Sequence, residues 1–198
     1  MKHRTKLAFL AAASLLLGAC SGLTPSGLIA ASRLDPLNTP PDSIAAAIGG
    51  PDALRLQDGD ASFRIALKGD GPDGPMLVEE AVPLEINPAA PGAPLSNASD
   101  EVVFVGTFAD EDARRIAAAQ AEITRLRSSG IDGQGSISVE LVGGCYVDAP
   151  PDDLAYSTWL RTDFTDGFVA TTRRLDAEEA LGADTVALLL SQMPKCEG

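Results

Sequence analysis

The sequence predicts an α+β domain, with a mostly antiparallel sheet of about six strands and helices packed on one face. Three features support this class. Several stretches alternate apolar and polar residues, one long stretch repeats apolar residues every three or four positions, and turn-forming Gly, Pro and Asp separate them. The region after residue 41 has an ordinary size for one core, so we expect a single domain over 42–198.

The first element of this domain is predicted to be a short helix over 44–48. Asp42-Ser43 is typical of a helix N-terminus, and Gly49-Gly50-Pro51 is typical of a helix stop. We therefore expect one helical turn or more before the first strand.

Alternating hydrophobicity predicts several of the strands, and the stretch over 101–108, which is apolar on both faces, predicts a central strand. In the first of them Phe63, Ile65 and Leu67 share one face, and in the second Pro83 favours an edge position or a bulge because proline cannot donate to a ladder. The pair Gly143-Gly144 indicates a bulge or a close approach of a second segment. Strands are predicted over 62–68, 76–86, 101–108, 136–146, 156–164 and 168–174.

Two further stretches predict helices. Over 110–128 the apolar residues form a narrow stripe, acidic residues begin the helix, Arg125 and Arg127 lie near its end, and Gly130 terminates it. A last helix is predicted over 177–193, with a break at Gly182. The stripe consists of Ala113, Ile116, Ala119, Ile123 and Leu126.

The dipeptide Asp166-Gly167 predicts a two-residue type I′ hairpin that pairs Phe164 with Val169. In that register Trp159 lies on the more polar face between Arg161 and Arg174. These three residues form a candidate contact surface for a sugar ring or an anionic envelope group. The alternative is a structural cation–π pair, or a tryptophan covered by a helix.

The N-terminus has the features of an export signal. A basic start precedes an apolar run over 7–17, which is too short to span a hydrocarbon core of about 30 Å. The run ends in Leu17-Gly18-Ala19-Cys20, which resembles the lipobox of bacterial lipoproteins. The resemblance implies cleavage after residue 19, acylation of Cys20, and a lipid-anchored tether over 20–41. Because Ser21 rather than Asp follows the cysteine, it also implies the periplasmic face of the outer membrane.

The charge balance excludes several classes of function. The sequence carries 28 Asp and Glu against 15 Lys and Arg, a formal net charge of −13. Removal of residues 1–19 takes away three bases and no acid, which changes −13 to −16. Nucleic-acid binding needs clustered Lys and Arg, so we expect no nucleic-acid partner. His3 is the only histidine and lies in the signal, so the mature chain has no histidine for a catalytic triad or a metal site.

The clustered acids offer no specific chemistry. Paired carboxylates are used in glycoside cleavage and in calcium binding, but most of these acids lie beside Gly or Pro, where Asp forms turns. We expect no metal and no cofactor. The clusters are Asp58/Asp60, Asp70/Asp73, Asp110 to Asp112, Asp148/Asp152/Asp153 and Asp163/Asp166.

The two remaining cysteines, Cys145 and Cys196, are predicted to form a disulfide. Once Cys20 is acylated their number is even, and an exported protein meets an oxidising compartment. The competing reading is a reactive cysteine, which needs a lowered thiol pKa or a partner base. The mature chain offers neither a histidine nor a C-x-x-C motif.

Together these features predict a lipid-anchored envelope protein without catalytic activity, which binds a ligand or makes structural contacts. Beyond the lipobox, the mature domain resembles only small uncharacterised lipoproteins of Gram-negative envelopes. Two alternatives stay open: a carboxylate-dependent hydrolase of envelope glycans, and an accessory subunit of an envelope protein complex. The sequence does not identify the ligand or the partner.

Overall fold

The computed structural model describes residues 34–72, 74–87, 92–94, 100–151 and 154–197. The expected signal peptide, Cys20 and the start of the tether lie outside the described residues, as does much of the loop between 87 and 100. The described residues form ten strands and three helices. The strands are β1 Ala45–Pro51, β2 Leu54–Arg55, β3 Ala61–Gly71, β4 Gly74–Pro83, β5 Glu85–Asn87, β6 Glu101–Thr107, β7 Gly133–Leu141, β8 Cys145–Tyr146, β9 Ala155–Arg161 and β10 Val169–Asp176; the helices are α1 Asp110–Ser128, α2 Ala177–Leu181 and α3 Ala183–Gln192.

The α+β class is confirmed, but the strands are divided among three antiparallel sheets instead of one sheet of six. One sheet has the order β10-β9-β1-β6-β5, the second β4-β3-β7, and the third is the short pair β2-β8. The chain crosses from the second sheet to the first at Leu84, between β4 and β5. Among the described residues, β7 and β10 are therefore the free edges at the other ends of these two sheets.

The main core lies between the two larger sheets and α1. Strand β3 contributes Phe63, Ile65 and Leu67, as the alternation predicts, and β4 contributes Val82 just before its end at Pro83. Helix α1 covers this core with the apolar stripe of the sequence prediction, ends beside Gly130 at a φ of 85°, and contacts β3 and β4. The five-stranded sheet supplies the opposing apolar side chains Ala46, Ile48, Phe104 and Leu160.

The helix predicted over 44–48 is wrong, because these residues belong to strand β1 and the turn before it. Its start signal forms only a 3₁₀ turn at Pro41–Ser43. β1 pairs with β6 on one side and β9 on the other, and both of its faces are buried. Pairing and burial on both sides override the helix propensity of three consecutive alanines. Position 49 has little room for a side chain, because a Cβ there would lie 3.1 Å from the Trp159 ring. Glycine therefore fits this strand.

The predicted two-residue hairpin at Asp166-Gly167 is also wrong. β9 ends at Arg161 and β10 begins at Val169, so residues 162–168 form a longer connection, and neither Asp166 nor Gly167 has a positive φ. Thr162 and Thr165 stabilise this connection, because the Thr162 N–H donates to the Thr165 hydroxyl and the Thr165 N–H to the Thr162 carbonyl. Side-chain bonds of this kind compete with a tight hairpin.

The folded part of the chain begins before the predicted boundary at residue 42. Leu34 and Thr39 are buried, although the sequence places them in the tether. The side-chain amide of Gln120 in α1 donates to the main-chain oxygens of Pro36 and Thr39. Residues 34–41 therefore pack as part of the domain.

Candidate binding cleft

A cleft of about 530 Å³ lies between the free edges of the two larger sheets. Gly135, Ser136 and Ile137 of β7 form one wall, and Leu160 of β9 with Thr171 of β10 form the other. The cleft is closed at its sides by residues 34–37 and by the C-terminal half of α1, and its remaining lining is Ile65, Ala66, Ile123 and Arg127.

The floor of the cleft is the main hydrophobic core. Ile65, Ile123 and Leu160 are buried core residues and also line the cleft. A ligand that enters here would contact apolar side chains already fixed by packing on both sheets and on α1. This arrangement favours an apolar ligand body, because burial of apolar surface is the main source of binding free energy in such sites.

Arg127 is the cationic group of the cleft. Its Nη2 atom would lie 2.6 Å from a Cβ at position 135, so the guanidinium occupies space that Gly135 leaves open. Arg115 and Arg125 on the same helix form ion pairs with acidic neighbours, whereas Arg127 forms none within the described part of the chain. The side chain is exposed and can meet a ligand at the mouth of the cleft.

The acidic group of the cleft, Asp35, is engaged by a neighbour. The Asn38 side-chain amide donates to both of its carboxylate oxygens at 2.9 Å, and the Thr39 hydroxyl donates to the Asp35 carbonyl. Asp35 has a φ of 34°, which Asp tolerates better than most residues. The cleft thus combines a cation that has no ion-pair partner among the described residues with a carboxylate that already accepts two hydrogen bonds.

No sequence pattern singles out this cleft. In the predicted helix over 110–128, Arg127 counts only as a favourable charge near the helix end. A usable signal was the spacing of Arg127 four positions after Ile123, which places a cation at the margin of the core-facing stripe.

The structure does not form the predicted contact surface of Trp159, Arg161 and Arg174. Trp159 is only 7% exposed and packs with Ala45, Ala47 and Val105 on the second face of the five-stranded sheet. It lies opposite Ala47 in β1 and Ala170 in β10. The prediction was wrong because the hairpin register on which it depended is not the observed one.

The two arginines of that prediction have separate neighbours. The guanidinium of Arg161 lies over the ring of Phe168, 5.0 Å from the ring centre. Arg174 has a φ of 44° at an irregularity of β10; its N–H donates to the Ser157 hydroxyl, and its guanidinium lies 3.4 Å from Asp100. Register shifts in β10 therefore separate Arg174 from Trp159, whereas Arg161 lies over Phe168, which packs against the cluster that contains Trp159.

The structure pairs Cys145 with Cys196, which is compatible with the predicted disulfide. Their Cα atoms lie 5.0 Å apart, and 51 positions separate them in the chain. Main-chain bonds join the same two segments, since the Cys196 N–H donates to the Tyr146 oxygen and the Tyr146 N–H to the Pro194 oxygen. As expected, Gly143 and Gly144 allow a close approach, here by Asp60 and Leu54.

A smaller cavity of about 130 Å³ lies near the C-terminal helices, with Glu140 and Tyr156 in its lining. The hydrogen bond from Arg64 holds the pKa of Glu140 below its usual range, and burial raises the pKa of Tyr156. Glu140 is therefore an ionised partner of Arg64 and does not supply the protonated carboxyl that glycoside cleavage needs as its acid.

Among the described residues, no group of three or more His, Cys, Asp or Glu side chains is placed to hold a metal ion. None of the described helices is long and apolar enough to cross a membrane.

Comparison with known proteins adds no relative. No family model matches the chain, and no curated protein or solved structure shows significant similarity to it. Within the described residues, the fold and the cleft define an α+β domain with a candidate ligand site.

Proposed function

We propose that this protein is a lipid-anchored protein on the periplasmic face of the outer membrane, and that its domain binds a small ligand in the cleft between β7 and β10 without catalysing a reaction. The lipobox that ends at Cys20 supports the anchoring part of the proposal. The cleft carries the binding part.

The cleft has the usual characteristics of a small-molecule site. Such sites are concave, measure about 300–1,000 Å³, and have mostly apolar walls with a few placed polar groups. The cleft here, with its volume of about 530 Å³, fits this description. Leu34, Leu37, Ile65 and Ile137 supply apolar surface, and Arg127 supplies a charged group.

Gly135 gives Arg127 its place in the wall of the cleft. Gly135 lies on β7, and its missing side chain leaves room for the guanidinium of Arg127. The edge of β10 across the cleft is irregular, with register shifts on both sides of Thr172 in its pairing with β9, and none of the described strand pairings joins β10 to β7.

The test is to block the cleft with a large side chain and to measure whether the protein still carries a bound ligand. Native mass spectrometry of the lipidated protein, purified from envelopes, should show a bound small molecule that Gly135→Phe removes. The nearest atom to a new Cβ at 135 is the end of the flexible Arg127 side chain, so the fold should tolerate the change. Gly167→Phe is the matched control, because nothing lies within 4 Å of a Cβ at that position.

A second blocking variant, Leu37→Trp in another part of the lining, guards against a local folding defect at 135. When the ligand has been removed, Gly135→Phe should unfold at the same temperature as the wild type, whereas Leu37→Trp should unfold slightly lower because Leu37 packs against the main core. Binding in this cleft would be disproved if both variants kept the same bound mass as the wild type, or if the wild type carried none.

A further inference from the structure

We infer that the ligand of this cleft is a single-chain amphipathic anion, whose apolar chain lies on the core floor and whose acidic head pairs with Arg127. The inference rests on the proposed function and specifies the chemical class of its ligand. The shared chemistry is one alkyl chain with a carboxylate or phosphate head, as in a fatty acid or a lysophospholipid.

The floor determines the apolar part of the ligand. The half-buried side chains of Leu37 and Ile137 lie over the buried side chains of Ile65, Ile123 and Leu160, and none of these five lining residues offers a side-chain hydrogen-bonding group. A polar ligand body would lose its hydration there without gaining partners, which is unfavourable. An alkyl chain has no polar hydration to lose, and its affinity rises with every methylene that the floor covers.

Arg127 determines the charge of the head. It is the cation of the cleft without an ion-pair partner among the described residues, and its planar guanidinium suits two-point contact with a carboxylate or a phosphate. Asp35 is the competing charge in the lining; it keeps its charge, but both of its oxygens already accept hydrogen bonds from Asn38. Arg127 has no ion-pair partner among the described residues, so the head of the ligand is assigned to Arg127 and is anionic.

The overall charge of the protein explains why an anionic head group without an alkyl chain is insufficient for binding. The mature chain has a formal charge of −16, so a free anion such as inorganic phosphate is repelled by the protein as a whole. Contact with the apolar floor has to supply the remaining affinity. The site should thus select molecules that carry both parts, and should bind neither part well by itself.

The experiment uses the mature chain over 20–198 with Cys20→Ala, which keeps every described residue and carries no acyl chain of its own. After removal of bound lipid, a fluorescent polyene fatty acid is displaced by palmitate, palmitoyl lysophosphatidate, hexadecanol, octanoate or inorganic phosphate, with each amphipath kept below the concentration at which it aggregates. Palmitate or lysophosphatidate should compete at least about tenfold better than hexadecanol, in line with one charge-assisted contact. The stronger of the two anions identifies the head group, and octanoate and phosphate should compete weakly.

Arg127→Gln should weaken the anionic amphipaths about tenfold and leave hexadecanol unchanged. Arg114→Gln is the matched control, because Arg114 is exposed on the same helix and does not line the cleft.

Equal affinity for palmitate, lysophosphatidate and hexadecanol, or an Arg127→Gln variant that binds like the wild type, would overturn the role of the head group. If Gly135→Phe still abolished binding in that case, the proposed cleft site would stand. Failure of every amphipath to bind would overturn the ligand class, and native mass spectrometry of the envelope-purified protein would then decide the proposed function separately.

Discussion

The side-chain amide of Gln120 donates a hydrogen bond of 2.6 Å to the main-chain oxygen of Pro36. The same nitrogen donates to the oxygen of Thr39 at 2.9 Å. Gln120 is buried and the acceptors belong to the segment that closes one side of the cleft. This one polar side chain on a core-facing helix therefore holds residues 36–39 against the domain.

Gln120→Ala should destabilise the protein by about 1–3 kcal/mol, because two buried carbonyl groups lose their donor. Urea unfolding measures the loss. Hydrogen exchange of the amides of residues 37–39 should also become faster, since their attachment to α1 is removed. Gln192→Ala is the control, because Gln192 is an exposed glutamine in helix α3. Equal stability of the two variants would show that the Gln120 contacts contribute nothing.

Trp159→Ala should cost about 3–5 kcal/mol of unfolding free energy, as for other buried aromatic residues cut back to alanine. The reason is the burial of the indole between β1, β9 and β10, where a cavity would remain. Phe164→Ala is the matched aromatic control. Phe164 is 55% exposed, so its removal should change stability by less than about 0.5 kcal/mol.

A Trp159→Ala variant as stable as Phe164→Ala would restore the surface interpretation of this residue. Chemical denaturation with a far-ultraviolet circular dichroism signal is suitable, because it does not depend on the fluorescence of the single tryptophan.

Sequence periodicity predicted the amphipathic elements and missed β1, which is buried on both faces. β3 and α1 present one apolar side, so their alternation or stripe is visible in the residues. β1 consists of Ala, Ile and Gly and has neighbours on both sides, so no period distinguishes it from a short helix. Its conformation depends on β6 and β9, which are distant in sequence.

The cleft could not be predicted for a related reason. Its lining comes from segments near residues 34–37, 65, 123–127, 135–137, 160 and 171, and no local pattern indicates that they meet. Its existence depends on which sheet edges stay unpaired. That follows from the division of the strands into two larger sheets, which the sequence analysis did not anticipate.

Arg64→Gln should lower the melting temperature slightly at pH 7, and the difference from the wild type should disappear in acid. Arg64 joins Glu79 in β4 and Glu140 in β7, and its hydrogen bond lowers the pKa of Glu140. A carboxyl with a depressed folded pKa contributes stability that is complete above its unfolded pKa, about 4.3, and is lost as the pH falls through the folded value. The effect should be small because the pairs are exposed.

The measurement is thermal unfolding of both proteins between pH 3 and pH 7. Glu140→Gln, which keeps an amide in place of the carboxylate, should remove the same pH-dependent part. A difference between wild type and Arg64→Gln that stays constant down to pH 3 would contradict a role for the ion pairs.

Cys20→Ala should prevent lipidation and leave an uncleaved or soluble precursor. The expectation follows from the lipobox, in which the acylated cysteine becomes the first mature residue. Fractionation of cells and intact mass provide the readouts, and Ser21→Ala, one position away, should be processed and anchored like the wild type. Recovery of Cys20→Ala as a processed, detergent-requiring protein of the outer membrane would refute the anchoring proposal.

The last prediction is that the exported protein contains no free thiol at Cys145 or Cys196. Intact mass and alkylation after purification without reductant test this, and two freely alkylatable thiols would reopen the reactive-cysteine hypothesis.

The pair closes a segment with a sequence separation of 51. Chain entropy then predicts that removal of the bridge costs about 4 kcal/mol, a large share of the typical 5–15 kcal/mol. Cys145→Ser/Cys196→Ser should show this loss in denaturant, and the double variant separates the bridge from a lone buried thiol. The main-chain bonds of Tyr146 to Pro194 and Cys196 should still hold the tail in the native state. Binding in the cleft between β7 and β10 should therefore survive the double substitution at temperatures below its lowered unfolding transition.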